Sequence, residues 1–160
     1  MLLAKQPNRL SITLLPYQLQ GLQWLLDHES PNLPTKPNDV VQFWKPTSRG
    51  QYINITTKFV LPNPSLASGG ILADDMGLGK TVQMISLIIA DVEKNGPRSP
   101  NCGGTLIVAP LSVMSNWKDQ ISRHVKPEEP LVISVFHGAG KNAKVDIKSC
   151  DVVITSYGML

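Results

Sequence analysis

Apolar positions along this chain fall into two patterns: stripes repeating every three to four residues, and short unbroken runs rich in β-branched residues. The first marks amphipathic helices and the second buried strands. Between Leu14 and Glu29, residues Leu19, Leu22, Leu25 and Leu26 share helical spacing and Pro16 suits a first turn, so a helix is predicted there. A second stripe, Val82, Ile85, Ile89 and Val92, predicts a helix from Lys80 to Val92. A third, Val113, Trp117, Ile121 and Val125, predicts one from Leu111 to Val125. The unbroken runs are GGILA from Gly69, TLIVAP from Thr105, LVISVF from Leu131 and DVVIT from Asp151. Short apolar runs alternating with helices predict an α/β fold, a mainly parallel sheet flanked by helices.

Residues 30–68 break both patterns. This stretch is rich in proline and surrounds one strand-like segment, QYINITTKFV, so it reads as an insertion able to carry a hairpin. The expected organisation is therefore an N-terminal helical region at 1–29, the insertion at 30–68 and an α/β region at 69–160. The segments NGPRSPNCGG and HGAGKNAKVDIKSC read as polar connections.

Composition changes this picture little. With 160 residues, 42% hydrophobic and 17% charged, the chain has the make-up of one globular domain. A formal charge of +3 is compatible with a polyanionic partner without requiring one. Cys102 and Cys150 form no C-x-x-C pair and have no histidine pair nearby, which argues against a zinc site or a disulfide framework. The start MLLAKQPNRL lacks the apolar core of a secretory leader, so the expectation is a soluble, intracellular chain. The sequon at Asn54 is then accidental.

The chemistry concentrates between a predicted strand and a predicted helix, in the residues Asp74, Asp75, Met76, Gly77, Leu78, Gly79, Lys80 and Thr81. Glycines at alternate positions let the backbone curl so that successive N–H groups face phosphate oxygens, and the helix that follows adds its positive end. Lys80 would then meet the β- and γ-phosphates and Thr81 would offer its hydroxyl to a magnesium ion. The strict pattern is not met, because Asp74 stands six residues before Lys80 where a glycine is expected. The plainer reading, a tight turn capping a helix with a solvated lysine, becomes less attractive once the strand and helix context is added. Asp74 and Asp75 are assigned to loop geometry, since two carboxylates against a phosphate repel it.

These residues carry a resemblance. GGILADDMGLGKT with YQLQGLQWL upstream resembles motif I and the Q-like motif of Swi/Snf-type DNA-dependent ATPases. TLIVAPLSVMSNWKDQI resembles their motif Ia, and DVVITSYGML a later strand ending in threonine, serine and tyrosine. In that family an aspartate at the place of Asp74 is usual. The Asp-Asp-Met sequence and the long insertion are similar to the subgroup of helicase-like transcription factor and related repair translocases. The resemblance covers about residues 12–160. It implies a P-loop fold, part of a RecA-like lobe, with ATP and Mg2+ as cofactors, double-stranded DNA or chromatin as partner in the full-length protein, and a nuclear location. It implies that Gln18 reads the adenine edge, whose donor and acceptor an amide matches, against the alternative of a solvated helix glutamine. Tyr17 stacks on the base or packs its ring into the core. Pro110 to Asn116 suit a nucleic-acid phosphate, with Ser112, Ser115 and Asn116 as donors. Trp117 is more easily read as core than as a stacking platform. Lys118 and Arg123 read equally as a solvated face.

No Asp-Glu dipeptide, the family's Walker B pair, occurs in these residues, and Asp151 precedes its apolar run instead of following it. The expectation is a fragment that meets the rest of a motor, including a second RecA-like lobe supplying an arginine, and hydrolyses no ATP alone, so no catalytic residue is assigned. The alternative is a truncated, non-catalytic module that binds nucleotide or a partner surface. An unrelated small P-loop kinase is the third reading, disfavoured by the lack of a lid or second acidic motif.

Overall fold

The computed structural model describes residues 3–96, 104–138 and 147–159. The central portion of each polar connection, residues 97–103 with Cys102 and 139–146, lies outside the described residues. The chain divides into two compact units, one of residues 1–22 and 74–160 and one of residues 23–73.

The first unit is built on three parallel strands. Strand β4 (Thr105–Val108), strand β5 (Ile133–Phe136) and strand β6 (Val152–Thr155) lie in the order β4-β6-β5. The register is Ile107 beside Ile154 and Val135 beside Ile154. Helix α2 (Lys80–Asn95) packs on helix α3 (Leu111–His124), and α3 packs on β6. Ile85, Ile89, Val152 and Ile154 are all 0% exposed and anchor this core. The middle of α2 is buried on nearly every side, from Ile85 through Ile89. A stretch buried all round, with Ser86 bonded to the Val82 carbonyl, belongs inside a layered fold. The α/β class with a parallel sheet flanked by helices is the arrangement found.

Segment 3–15 is stitched across this unit. Leu10 forms an antiparallel bridge with Val125, and Lys126 N–H donates to the Arg9 carbonyl at 2.8 Å. Arg9 N–H donates to Glu93 Oε1 at 2.8 Å, and the Gln6 amide donates to the Ile12 carbonyl at 2.7 Å while accepting from Leu14 N–H at 3.0 Å. These bonds fix where helix α1 (Pro16–Glu29) begins.

The second unit contains the end of α1 and an antiparallel meander of strands β1 (Trp44–Pro46), β2 (Tyr52–Asn54) and β3 (Val60–Leu61). The hairpin expected around QYINITTKFV is its β2–β3 half. In the same unit Trp24 stacks on His28 with ring centres 4.0 Å apart. Gly70 lies so close to Trp24 that an added Cβ would come within 2.6 Å of the ring.

Two expectations are corrected. GGILA forms no strand: residues 69–73 carry no ladder among the described residues, and Ile71 is 86% exposed. Apolar content alone does not make a strand; a neighbour must supply the ladder. On α3, Val113 is exposed and Met114 is buried instead, with Ile121 and Val125. At about 100° per residue, Met114 lies about 20° from Ile121 around the helix and Val113 about 80°. Trp117, between them, is half-buried.

Candidate nucleotide site

The loop is exposed from Asp74 to Leu78, and through the half-buried Gly79 it leads directly into the 16-residue helix α2. Gly77 and Gly79 have φ of 88° and 81°, in the left-handed region that side chains disfavour. Gly79 is the N-terminal cap of α2, with its carbonyl accepting from Gln83 N–H at 3.0 Å and no side chain capping the helix. The first N–H groups of a helix have no partner within it, so they and the positive end of α2 face the loop.

Lys80 folds back across this loop. Its Nζ donates to the carbonyl oxygens of Asp74 at 2.5 Å and Asp75 at 2.8 Å, holding the charge over the backbone of the curl. Thr81 stands in the first turn of α2 and is half-buried. Met76 and Leu78 are exposed, with Met76 96% accessible.

Gln18 is brought to the same place from α1. Its Oε1 accepts from Leu15 N–H at 3.0 Å, the reach-back bond of a capping box, and so caps its own helix. Its Nε2 donates to the Leu78 carbonyl at 3.3 Å. A Cβ on Gly79 would meet that Nε2 at 2.5 Å, so Gly79 is needed for the close approach as well as for its φ. Tyr17, beside Gln18, is exposed and not part of the core.

Sequence reasoning missed two residues here. Gln83 is 0% exposed and its Nε2 donates to Asp74 Oδ2 at 3.1 Å; beside a carboxylate, only the NH2 side of the amide can make that contact. Its Oε1 is buried without a hydrogen-bond partner. A Cβ on Gly21 would sit 1.8 Å from that oxygen, so Gly21 lets α1 approach α2 over the amide. The available signals were a glycine inside the leucine stripe of α1, which usually has a packing reason, and a polar residue inside the apolar stretch of α2. Asp74 thus meets Gln83 through its side chain and Lys80 through its carbonyl, while Asp75 meets Lys80 through its carbonyl.

Pro110, Ser112, Ser115 and Asn116 are exposed at the start of α3, where β4 ends. Pro110 and Leu111 share an open cavity of about 310 Å³ with His137, Ser156 and Tyr157, which follow β5 and β6. The His137 Nδ1 and Ser156 Oγ are 3.1 Å apart. Lys118 and Arg123 are exposed. Asp151, buried before β6, accepts from Val132 N–H through Oδ2 at 2.8 Å.

A parallel sheet, helices on its flank and a glycine loop opening α2 define a RecA-like P-loop lobe. Comparison with known proteins is more specific. The family described as "SNF2-related domain" matches residues 17–160, and the chain belongs to that family. It is 31% identical to the "DNA repair protein RAD5B" of Arabidopsis thaliana, over 96% of this chain and 15% of that protein. It is 33% identical to the "ATP-dependent helicase ULS1" of Saccharomyces cerevisiae, over 98% of this chain and 8% of that protein. The "ATP-dependent helicase rhp16" of Schizosaccharomyces pombe is 28% identical over 94% of this chain and 12% of its own length. The chain therefore spans between 8% and 15% of the length of these relatives.

Proposed function

We propose that this chain forms the ATP-binding half-site of a DNA translocase motor that works in the nucleus on duplex DNA or chromatin and in DNA repair. The observation that carries the reading is Lys80, held across the loop by two backbone carbonyls at the N-terminus of α2. The names of the relatives, an ATP-dependent helicase and a DNA repair protein among them, supply the direction.

The residues fit a nucleoside triphosphate. Two glycines with positive φ shape the curl, the helix end supplies partial positive charge, and the lysine is already at the loop. The Lys80 ammonium would exchange neutral carbonyl acceptors for phosphate oxygens, whose charge makes the stronger hydrogen bond. Thr81 would hold the magnesium ion, which supplies charge neutralisation between the phosphates when bound. Gln18 would present its remaining amide N–H and carbonyl lone pair to adenine while its other contacts keep the loop in place. Gln83 keeps the Asp74 carboxylate turned to its own amide, and so away from a phosphate that it would repel.

Lys80→Ala is expected to weaken binding of a fluorescent ATP analogue by about 1.5–3 kcal/mol, the range for hydrogen bonds to charged groups. In the same titration Gln18→Ala should reduce the preference for adenine over guanine nucleotides. Equal nucleotide affinity for the parent and Lys80→Ala would overturn the site.

A further inference from the structure

Gln83 is held in an arrangement that costs stability. It stands in the first turn of α2, where its backbone N–H donates to the Gly79 carbonyl at 3.0 Å, and its side chain is 0% exposed. Nε2 donates to Asp74 Oδ2 at 3.1 Å, while Oε1 is buried with no partner. A buried amide oxygen left unpaired is destabilising, and an apolar side chain of similar shape avoids that penalty. Turning the amide over would set the oxygen against the Asp74 carboxylate, two acceptors with no proton between them. The donor is thus committed to Asp74 and the acceptor goes without. At Gly21 an added Cβ would come 1.8 Å from Oε1, so only glycine lets α1 close over the amide.

The surroundings of Lys80 depend on this commitment. Its Nζ donates to the main-chain carbonyls of Asp74 and Asp75, at 2.5 and 2.8 Å, and among the described residues no ion pair forms with Lys80. The Asp74 carboxylate hangs from the same Cα as a carbonyl that Lys80 already reaches. Rotation about the side-chain bonds of Asp74 is therefore enough to bring its carboxylate to the ammonium. The hydrogen bond to Gln83 opposes that rotation.

We propose that Gln83 is a positioning residue for triphosphate binding: its buried amide, covered by Gly21, keeps the Asp74 carboxylate off Lys80 and leaves the ammonium on neutral carbonyl oxygens that phosphate displaces. Without that amide Asp74 competes in two ways. Its charge occupies the ammonium, and it repels the oxygens of the incoming phosphates, both effects that weaken as salt rises. The inference rests on the nucleotide reading of Lys80 and adds what keeps the loop ready for the ligand.

The test is displacement of a fluorescent ATP analogue from the full chain by ATP and by adenosine. Gln83→Met keeps an unbranched side chain and removes the donor. It is expected to weaken ATP about fivefold or more at low salt, the upper range for an exposed ion pair, and to leave adenosine, which brings no phosphate to Lys80, unchanged. Asp74→Asn should repair that loss: its gain is about fivefold or more in the Gln83→Met background and within about twofold when Gln83 is present. Gln83→Glu sets one carboxylate against another and should show the same loss and the same rescue, so the result does not hang on how a methionine packs. A purely structural role predicts a loss that extends to adenosine and that removing the charge of Asp74 does not repair; either result overturns the proposal. So does an equal gain from Asp74→Asn in both backgrounds. Lys80→Ala separates the two readings. If it binds ATP like the parent, the nucleotide site fails and this inference with it; if it loses ATP while Asp74→Asn stays uncoupled from Gln83, only the role of Gln83 is lost.

Discussion

The two sheets of this chain are held together differently. In the parallel sheet, Val152 and Ile154 of the central strand β6 are 0% exposed, with β4 on one side, β5 on the other and α3 against the strand. In the antiparallel meander no residue of β1, β2 or β3 is fully buried, and order rests on turn hydrogen bonds. Asn54 Oδ1 accepts from Thr56 and Thr57 N–H at 3.0 and 2.9 Å, and Thr47 Oγ1 accepts from Gln51 N–H at 3.3 Å. One region takes its stability from apolar area removed from water; the other takes its shape from local polar chemistry, at about 0.5–1.5 kcal/mol per bond. The first suits a rigid frame for the phosphate loop. The second leaves its side chains available.

That contrast can be broken at three points. Ile154→Ala removes a fully buried side chain from the middle of the parallel sheet and should cost about 2–5 kcal/mol, read as a lower denaturant midpoint. A loss no larger than that of Ile53→Ala in the half-buried β2 would erase the distinction. Asn54→Ala removes both turn bonds and should cost about 1 kcal/mol. Its signature is faster amide exchange confined to the meander, with β4, β5 and β6 protected as before.

The smallest effect is expected at His124, at the end of α3. Its Nε2 is 3.0 Å from Gln120 Oε1 and its Nδ1 is buried without a partner. Burial first, then the neighbouring charge of Arg123, pushes its pKa below the ordinary 6.5. The folded chain thus resists a proton that the unfolded chain accepts, so this contribution is complete above about pH 6.5 and is lost as pH falls through the lower folded value. Thermal unfolding between neutral and mildly acidic pH should show the decline, and His124→Gln should flatten it. A parallel decline in both proteins would exclude His124 as its source.

The glycine curl in front of α2 was legible because its signals are local. Gly77, Gly79, Lys80 and Thr81 lie together in sequence and lead straight into α2, although the strand expected before them is absent among the described residues. The approach of Gly21 to Gln83 was not legible, since the amide matters only when α1 crosses close enough to cover it. The role of Gln18 as a brace for the loop, through Leu78, was hidden for the same reason.

By itself the sequence determined the three helices and the three strands of the parallel sheet: stripes at helical spacing became α1, α2 and α3, and β-branched runs became β4, β5 and β6. Period and composition act within a few residues, so they survive any arrangement of the rest. Only the tertiary structure decided that β6 lies between β4 and β5, that Met114 and not Val113 enters the core, and that GGILA stays outside any ladder. Each of these depends on which distant segment supplies a hydrogen-bonding edge or a covering face, and no stretch of sequence contains its own neighbour.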